Sequence, residues 1–465
     1  MAIDLDLTEA DVVVLKNLFQ DIDKNKEHTP QNSLTDRTCE KEPHDQEAIE
    51  RLKAWNDPKS LNFKPTVFVT WDDKDIHPFL NQWLVRPYAR LATGIVRHPV
   101  DVVFLTHILL YLFVNLPSAI WLFCNFTYIH GVLHVAFTFW CTGSFTLMMH
   151  NHIHNNGVLS KDWAWLDLTF PYVLEPLMGH TWDSYYYHHV KHHHVEGNGP
   201  EDLSSTIRYQ RDDLFNFLHY WARFFFFIWL DLPLYFLRKN KPNLAVKSCL
   251  SEVASLAFMY YMTFHVNTKA AVFTLIIPFI LLRLGLMVGN WGQHALVDEI
   301  EPDSDFRSSI TLIDVPSNRF CFNDGYHTAH HLNPRRHWRD QPLHFLQSKD
   351  AYKEGRALVF HNIDYLMMTI KLLQKDYMHL AKCLVPIGDQ IGMTQQEIAD
   401  MLRTKTRRFT EEEIQAKFKQ GPAPASSKPH RWSLKAAFSK AANRIPDALA
   451  MSPPRVEAEI VRKDQ

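Results

Sequence analysis

The sequence predicts an all-α integral membrane protein with four transmembrane helices in two hairpins, interfacial helices and a cytoplasmic cap rich in histidine. Three observations predict this class. Four apolar stretches approach the roughly 20 residues that cross a bilayer, and they lie near residues 102–124, 128–149, 248–266 and 270–290. Only a few residues separate the two members of each pair, and dense histidine runs lie outside the apolar stretches.

The composition fits a membrane protein and argues against several other classes. Of the 465 residues, 46% are hydrophobic, and the 31 Phe and 13 Trp suit a chain that meets membrane interfaces. The formal net charge of -2 argues against nucleic acid as a partner. The six cysteines include no C-x-x-C pair, so we expect neither a disulfide framework nor a zinc knuckle.

The chain divides into four predicted regions. Residues 1–100 are polar and form a cytoplasmic N-terminal region, in which Thr8 is a candidate helix N-cap. Residues 101–345 form the membrane domain. Residues 346–420 form a cytoplasmic helical region with capping-box patterns that begin at Thr394 and Thr410. Residues 421–465 are rich in Pro, Ser, Lys and Ala, which predicts a disordered tail.

The two hairpins predict which side of the membrane carries the histidines. Both hairpins have short turns, so their open ends face the same side. By the positive-inside tendency this side is cytoplasmic, because basic residues precede each hairpin: Arg86, Arg90, Arg97, Arg238, Lys239, Lys241 and Lys247. A fifth apolar stretch, 214–237, contains Arg223 and Asp231, and we interpret it as an interfacial or re-entrant helix. Residues 163–180 are too broken for a span and are expected on the same surface.

The first histidine cluster ends the second apolar stretch. His150 and His154 are four residues apart, so they share one helix face and can bind one metal. His130 and His134 have the same spacing on the same helix. They lie 20 residues upstream, which is ~30 Å along a helix, so we assign them a structural role.

Two more clusters and one isolated histidine complete a candidate metal set. The run from His188 to His194 allows two registers, either His189 with His193 and His194 or His189 with His192 and His193, and His188 and His192 stay open as alternatives. A bare polyhistidine run could be an adventitious chelator, but two further clusters accompany this one. With the first register, the nine candidate metal ligands are His150, His154, His189, His193, His194, His294, His327, His330 and His331.

Four polar residues are candidates for positioning these ligands. Glu201, Asp202 and Asp324 could accept hydrogen bonds from ligand N–H groups. Asn290 lies one helical turn before His294 and could hold a water on one metal. The metal expected here is iron, because nine imidazoles do not match a closed four-coordinate zinc site and imidazole suits iron. Two irons beside a bilayer indicate dioxygen activation.

The motifs resemble those of the membrane fatty acid desaturase and alkane hydroxylase superfamily, whose three histidine boxes occur in this order. The resemblance covers roughly residues 100–340. Asn290-x-x-x-His294 resembles an element of stearoyl-type desaturases, and the third box with Pro334 resembles theirs. Pro200-Glu-Asp202 after the second box resembles the alkane-hydroxylase branch, which together with Asn198 favours His193 and His194 as ligands. The first box departs from the pattern by carrying His152.

The resemblance implies an O2-dependent oxidoreductase with two iron ions (Fe2+/Fe3+), acting on an acyl chain of a membrane lipid or acyl substrate. Desaturation is the favoured reaction, and hydroxylation of an acyl chain or alkane is the alternative. The sequence has no His-Pro-Gly-Gly haem motif, so a separate cytochrome-b-type protein or ferredoxin is expected to donate electrons. A eukaryotic protein of this kind is expected in the endoplasmic reticulum. The rival from another class is a histidine-rich metal transporter, which predicts ionisable residues along the spans.

Overall fold

The computed structural model describes residues 3–27, 42–72 and 75–418. The predicted disordered tail, 421–465, lies outside the described residues. Three described helices are long and apolar enough to cross a membrane: Val102–Cys124, Tyr128–Asn155 and Thr268–His294. They match the first, second and fourth predicted stretches. The third stretch, 248–266, lies in a continuous helical segment made of Pro242–Tyr261 and Met262–Val266, which includes Lys247 and Glu252 and is less apolar.

Local hydrogen bonds set where the long helices begin. The Thr127 side chain accepts a hydrogen bond from the backbone N–H of His130, and the Asn267 side chain accepts one from Ala270. Such N-caps satisfy backbone donors that have no partner inside the helix. Each hairpin therefore turns at a capping residue, as the short polar turns in the sequence predict.

The two hairpin turns lie together at one end of the helices. The Asn267 amide donates a hydrogen bond to the carbonyl oxygen of Phe123 over 3.3 Å. The rings of Phe126 and Phe273 are 5.5 Å apart, and a Cβ on Gly131 would lie 2.9 Å from the Phe273 ring. Because both turns occupy this end, the opposite ends of all four helices, where His150 and His294 lie, also meet.

The fifth apolar stretch forms the helix Leu214–Arg238, which lies alongside the histidine-bearing segment. Near its start, the Tyr220 hydroxyl donates to the carbonyl oxygen of Ser204 over 3.2 Å. Near its end, the Tyr235 hydroxyl donates to Glu196. These tyrosines are 15 residues apart, about 22 Å along a helix, yet both contact residues 196–204. The helix therefore packs along residues 196–204, and its interfacial location stays a prediction.

The end of the segment 163–180, with residues 181 and 182, packs between the long helices, and the membrane-surface location of the rest stays a prediction. Thr181 donates to the Glu252 carboxylate over 2.9 Å, and the backbone N–H of Trp182 donates to Ser255 over 2.9 Å. Gly179 packs against the backbone of Pro278. Hydrogen bonds to polar side chains of the Pro242–Tyr261 helix therefore hold the end of this broken segment inside the helical body.

Gly179 is the position where this insertion depends on the absence of a side chain. Its φ is +87°, and a Cβ would lie 2.4 Å from the carbonyl oxygen of Pro278. We expect Gly179→Ala to lower the free energy of unfolding by at least ~2 kcal/mol. The thermal midpoint of detergent-solubilised protein would measure this. Gly285→Ala, where a Cβ meets nothing within 4 Å, is the matched control, and equal midpoints for both variants would contradict the packing.

The terminal regions cover the end of the body that carries the histidines. Helices Glu9–Glu27 and Pro43–Asn56 come from the N-terminal region, and Thr8 accepts the backbone N–H of Asp11 as the predicted N-cap. Both predicted capping boxes in the C-terminal region are present. Further helices are Gln341–Gln347, Lys349–Glu354, Tyr365–Leu373, Tyr377–Cys383, Gln395–Thr404 and Glu411–Lys417.

One short parallel sheet departs from the predicted all-α class. Strands Ile310–Ile313 and Leu358–His361 pair with Ile310 opposite Leu358, and all eight residues are buried. Each strand is a short run of mainly β-branched and aromatic side chains, which favour extended backbone. A run of four residues is too short to show helical or strand periodicity, so the sequence did not predict these strands.

Candidate metal centre

Five histidines from three separate segments form one group, here called the five-histidine group: His150, His154, His189, His194 and His330. One ring nitrogen from each lies within 4.8 Å of those of the others. The Nε2 atom of His330 is 3.1 Å from that of His150 and 2.8 Å from that of His194. The Nε2 atoms of His189 and His194 are 3.0 Å apart.

A second set, here called the four-histidine group, lies beside the first. His193, His294 and His331 each offer a ring nitrogen within 4.8 Å of the other two. His327 joins them, because its Nε2 atom is 3.1 Å from that of His294. The ring centroids of His193 and His194, one from each group, are 5.7 Å apart. All nine histidines singled out in the sequence are therefore in these two neighbouring groups.

A π-helix explains how the second box serves both groups. Residues Tyr186–His193 form a π-helix, in which backbone hydrogen bonds join residues five apart. His189 and His194 are five apart and share the five-histidine group. His193 is directed to the four-histidine group. In an α-helix the pair on one face would have been His189 and His193.

The third box divides its histidines in the same way by ordinary helix geometry. His327–Leu332 is a short α-helix. His327 and His331 are four apart, so their rings lie on one face with centroids 4.5 Å apart, in the four-histidine group. His330 points to the five-histidine group. Both boxes thus bridge the two groups.

The spacing of the ring nitrogens fits metal ligation. An imidazole–metal bond of about 2.1 Å and a right angle at the metal place two ligand nitrogens about 3 Å apart. The Nε2 pairs lie at 2.8–3.1 Å. The buried Nε2 atoms of His154 and His331 have no hydrogen-bond partner among the described residues, although buried polar groups normally have one. The donor set therefore fits two metal ions.

Burial keeps the rings in the neutral form that binds metals. The pKa values of His189, His327 and His330 lie well below the usual 6.5, first because burial disfavours the charged ring and then because neighbouring histidines do. The pKa of His194 is lowered for the same reasons. Neutral imidazole offers a lone pair to a metal, whereas imidazolium does not.

Asp202 holds His193 in place. The His193 Nδ1–H donates to its Oδ2 atom over 2.7 Å, which leaves Nε2 for a metal. The carboxylate also accepts the backbone N–H groups of Asn198 and Ser204, at 3.0 and 2.8 Å. Burial alone would raise the pKa of Asp202, but the charge and hydrogen bond of His193, with the neighbouring His192 and His188, hold it well below its usual range. Asp202 was one of the carboxylates singled out in the sequence.

We expect Asp202→Asn to weaken metal binding about 10- to 100-fold, because the amide is uncharged and a weaker acceptor for His193. Metal titration of the purified apoprotein measures this. Glu201→Gln is the matched control, since the Glu201 carboxylate is exposed and lies 3.8 Å from Lys239. Equal affinities for the two variants would show that Asp202 does not position His193.

The depressed histidine pKa values predict acid lability of the apoprotein. In the unfolded chain these histidines titrate near 6.5, so below that pH the unfolded state binds more protons. Their contribution to stability is complete above about pH 7 and is lost as the pH falls through about 6.5. Buried carboxyls oppose this in part, because burial raises the pKa of Asp324 to about 7, that of Asp11 to about 6 and that of Asp314 well above its usual range. The histidines with lowered pKa values outnumber them. A thermal midpoint that stayed constant between pH 7.5 and 5.5 would contradict this prediction.

The other three predicted positioning residues do not contact a histidine through their side-chain carboxylate or amide in the way Asp202 does. The Glu201 carboxylate lies near Lys239, and only its backbone oxygen is near His192, at 3.4 Å. Asp324 accepts a hydrogen bond from Gln293, the neighbour of His294. The Asn290 amide nitrogen donates to the Ser204 carbonyl and the Tyr220 hydroxyl, at 3.0 and 2.6 Å.

The histidines left open or assigned elsewhere lie outside both groups. His192 Nε2 accepts the backbone N–H of Leu203 over 3.2 Å, and the ring of His188 lies against Phe224. His152 faces Asp167. His130 and His134 both contact the hydroxyl of one serine in the neighbouring helix, as expected for structural residues. This arrangement favours the register with His189, His193 and His194.

Two residues next to the site were missed in the sequence. Asp305 lies 3.5 Å from Nδ1 of His331, so it could orient that ring as Asp202 orients His193. Tyr185 is partly buried and stacks on His189, with centroids 4.9 Å apart and planes 12° apart. Tyr185 precedes His189 by one helical turn, and this spacing could have predicted their contact from the sequence. Asp305 belongs to a charged linker, and no sequence pattern there predicts its contact with His331.

The family comparison agrees with this geometry. Residues 126–362, about half of the chain, match the family described as fatty acid desaturase. This chain belongs to the fatty acid desaturase family. The matched range contains both histidine groups, and the family implies an oxidoreductase. Comparisons with curated proteins and with solved structures gave no match.

Proposed function

We propose that this member of the fatty acid desaturase family is an O2-dependent di-iron membrane oxidoreductase that desaturates fatty acyl chains. The observation that carries the proposal is the convergence of nine imidazoles from distant parts of the chain on two adjacent groups. Family membership supports the substrate class. The spacing and neutrality of the rings support the metals.

The two groups would hold one iron each. The five-histidine group would bind one iron and the four-histidine group the other. In the four-histidine group, Asp202 would orient His193 and Asp305 would orient His331. When bound, two irons supply the oxidising power that side chains lack for removing hydrogen from an unactivated carbon. A separate cytochrome-b-type protein or ferredoxin would supply the electrons.

The chain itself excludes water and holds the rings. Tyr185 stacks on His189, and Phe322 and Trp338 line the small cavity next to His150 and His330. That cavity measures about 10 Å³, which is room for about one water. A dry site prevents side reactions and strengthens the electrostatic interactions that fix the ligands.

We propose that the Pro242–Val266 helical segment is a fourth span and that the histidine end is cytoplasmic. Because the two hairpin turns contact each other, the four helices of the two hairpins lie side by side, which supports four spans. The basic residues that precede each hairpin support the cytoplasmic assignment. In a eukaryote the expected membrane is the endoplasmic reticulum.

A metal transporter is less well supported. It would need ionisable residues along a path through the spans. The buried ionic pair within the long helices, Glu252 with Arg283 at 2.6 Å, is mutually neutralised. Both histidine groups lie at the helix ends. The pair therefore contributes to packing and offers no free ligand.

Lipid analysis of an expression host tests the proposed function. The full chain would be expressed in a host of known lipid composition, and its acyl chains would be analysed by mass spectrometry. We expect a new double bond, and none in cells that express His330→Ala. A new hydroxyl group would support the hydroxylase alternative, to which Pro200-Glu-Asp202 also points. Unchanged lipids with an iron-loaded protein would contradict both.

A further inference from the structure

We infer that Asp11, in the N-terminal helix Glu9–Glu27, positions the third histidine box and so supports the metal centre. This helix lies outside the range 126–362 that matches the family. Asp11 acts through Tyr326 and Asn318 and not on a histidine directly, which makes it a positioning residue. The inference rests on the proposed function only in taking the histidines of this box as metal ligands.

Tyr326 links Asp11 to the box. It is the residue directly before the helix His327–Leu332, and its side chain is fully buried. Its hydroxyl donates a hydrogen bond to Oδ1 of Asp11 over 2.8 Å. Asp11 is fully buried as well, so loss of either partner leaves the other without a hydrogen bond in a dry environment. This bond therefore holds the residue from which the box begins.

Asn318 makes a second link from Asp11 to the same stretch of chain. Its amide donates to Oδ1 of Asp11 over 2.9 Å, and its side-chain oxygen accepts the backbone N–H of Gly325 over 3.1 Å. The Gly325 carbonyl oxygen accepts the backbone N–H of Leu312, in the first strand, over 2.7 Å. A Cβ on Gly325 would overlap the carbonyl oxygen of Leu312. The two residues before His327 are therefore held between a strand and the N-terminal helix.

Apolar packing joins the same helix to the box. Leu15 and Leu18 are buried in one hydrophobic cluster with Tyr326 and Ala329. Ala329 lies within the box itself. The N-terminal helix therefore shares a core with the segment that carries the ligands.

A helix cap alone does not explain the contacts of Asp11. Thr8 accepts the backbone N–H of Asp11 over 3.1 Å, and its hydroxyl donates to Oδ2 of Asp11 over 2.6 Å. These bonds cap the helix and use one carboxylate oxygen. The other oxygen, Oδ1, accepts from Asn318 and Tyr326, which are 307 and 315 residues later in the chain. The carboxylate therefore has two separate tasks, and a variant can remove one without the other.

A displacement at Tyr326 would reach both metal sites, because the third box serves both histidine groups. His327 and His331 belong to the four-histidine group, and His330 belongs to the five-histidine group. The helix that carries them has only 6 residues, and so short a helix is not stable by itself. Contacts at its beginning therefore decide where its three imidazoles lie.

Cobalt binding to the purified full-length apoprotein tests the inference without turnover. Co²⁺ is the probe because its visible absorption reports both the amount of bound metal and the geometry of its ligands. We expect Asp11→Ala and Tyr326→Phe each to weaken cobalt binding about 10-fold and to change the absorption bands. Asp11→Asn keeps an acceptor oxygen for both donors, so it should restore most of the affinity.

A double variant shows whether the two residues act through one contact. If they do, Asp11→Ala combined with Tyr326→Phe should weaken cobalt binding about 10-fold, as either change alone does, and not about 100-fold. Thr8→Ala is the matched control, because it removes the cap of the same helix and leaves both donors to Oδ1 of Asp11. It should lower the thermal midpoint and leave the cobalt affinity unchanged.

Wild-type affinity in Asp11→Ala or Tyr326→Phe, or an equal loss of affinity in Thr8→Ala, would overturn the inference. If Asp11→Ala does not fold, the comparison of Tyr326→Phe with Thr8→Ala decides in the same way. A protein that desaturates host lipids but binds cobalt equally in all these variants overturns this inference alone. Unchanged host lipids contradict the proposed function, whereas weaker cobalt binding in Asp11→Ala and Tyr326→Phe alone still supports this inference.

Discussion

His330→Ala and His193→Ala are each expected to lose both irons and all acyl oxidation. The Nε2 atom of His330 is within 3.1 Å of those of His150 and His194, so its removal opens the five-histidine group. Removal of the His193 ring opens the four-histidine group and leaves the buried Asp202 carboxylate without its hydrogen-bond donor. Because the second and third boxes each serve both groups, damage to one is expected to displace the ligands of the other. Elemental analysis of the purified variants measures the loss.

The controls are two histidines of the Tyr128–Asn155 helix that lie outside both groups. His152 faces Asp167, and His130 contacts a serine in the neighbouring helix. We expect His152→Ala and His130→Ala to retain their iron. If either lost as much iron as His330→Ala, or if His330→Ala kept both metals, the assignment of ligands would be wrong.

Glu252→Ala is expected to destabilise the protein by about 3–5 kcal/mol, because it leaves the charge of Arg283 buried and unpaired. The Arg283 guanidinium lies 2.8 and 2.6 Å from the two carboxylate oxygens, and both side chains are less than a tenth exposed. Thr181, which joins the inserted segment to this carboxylate, also loses its acceptor. Thermal unfolding monitored by size-exclusion chromatography in detergent measures the loss.

A double variant separates charge from packing. Glu252→Leu combined with Arg283→Leu removes both charges, so we expect it to recover most of the stability that Glu252→Ala loses. Asp231→Ala removes one partner of a more exposed pair, Asp231 with Arg223 at 3.3 Å, and should cost less than about 1 kcal/mol. If Glu252→Ala cost no more than Asp231→Ala, the buried pair would not stabilise the helices.

The sequence predicted which histidines meet, because ligand spacing leaves a direct trace in it. His150 and His154 share a face by simple α-helical periodicity, and the structure places them together. It did not predict which histidines of the second box share a group. That division depends on the π-helix Tyr186–His193, whose five-residue repeat is not visible in a run of adjacent histidines.

Features created by tertiary contacts were also missed. Asp305 reaches His331 from 26 residues upstream, and no local pattern joins them. The inserted segment at Gly179 and Thr181 is held by hydrogen bonds to a helix about 70 residues later. Glu201 and Asp202 were equal candidates for positioning a ligand, but the Glu201 carboxylate is exposed and lies near Lys239. Burial, which sequence alone does not give, decided between these two neighbours.

Iron analysis of the purified wild-type protein tests most directly whether nine imidazoles build one binuclear centre. Inductively coupled plasma mass spectrometry, normalised to protein by amino-acid analysis, should find close to two irons per chain and little zinc. One iron per chain, or stoichiometric zinc in place of iron, would contradict the pairing of the five- and four-histidine groups as a di-iron site.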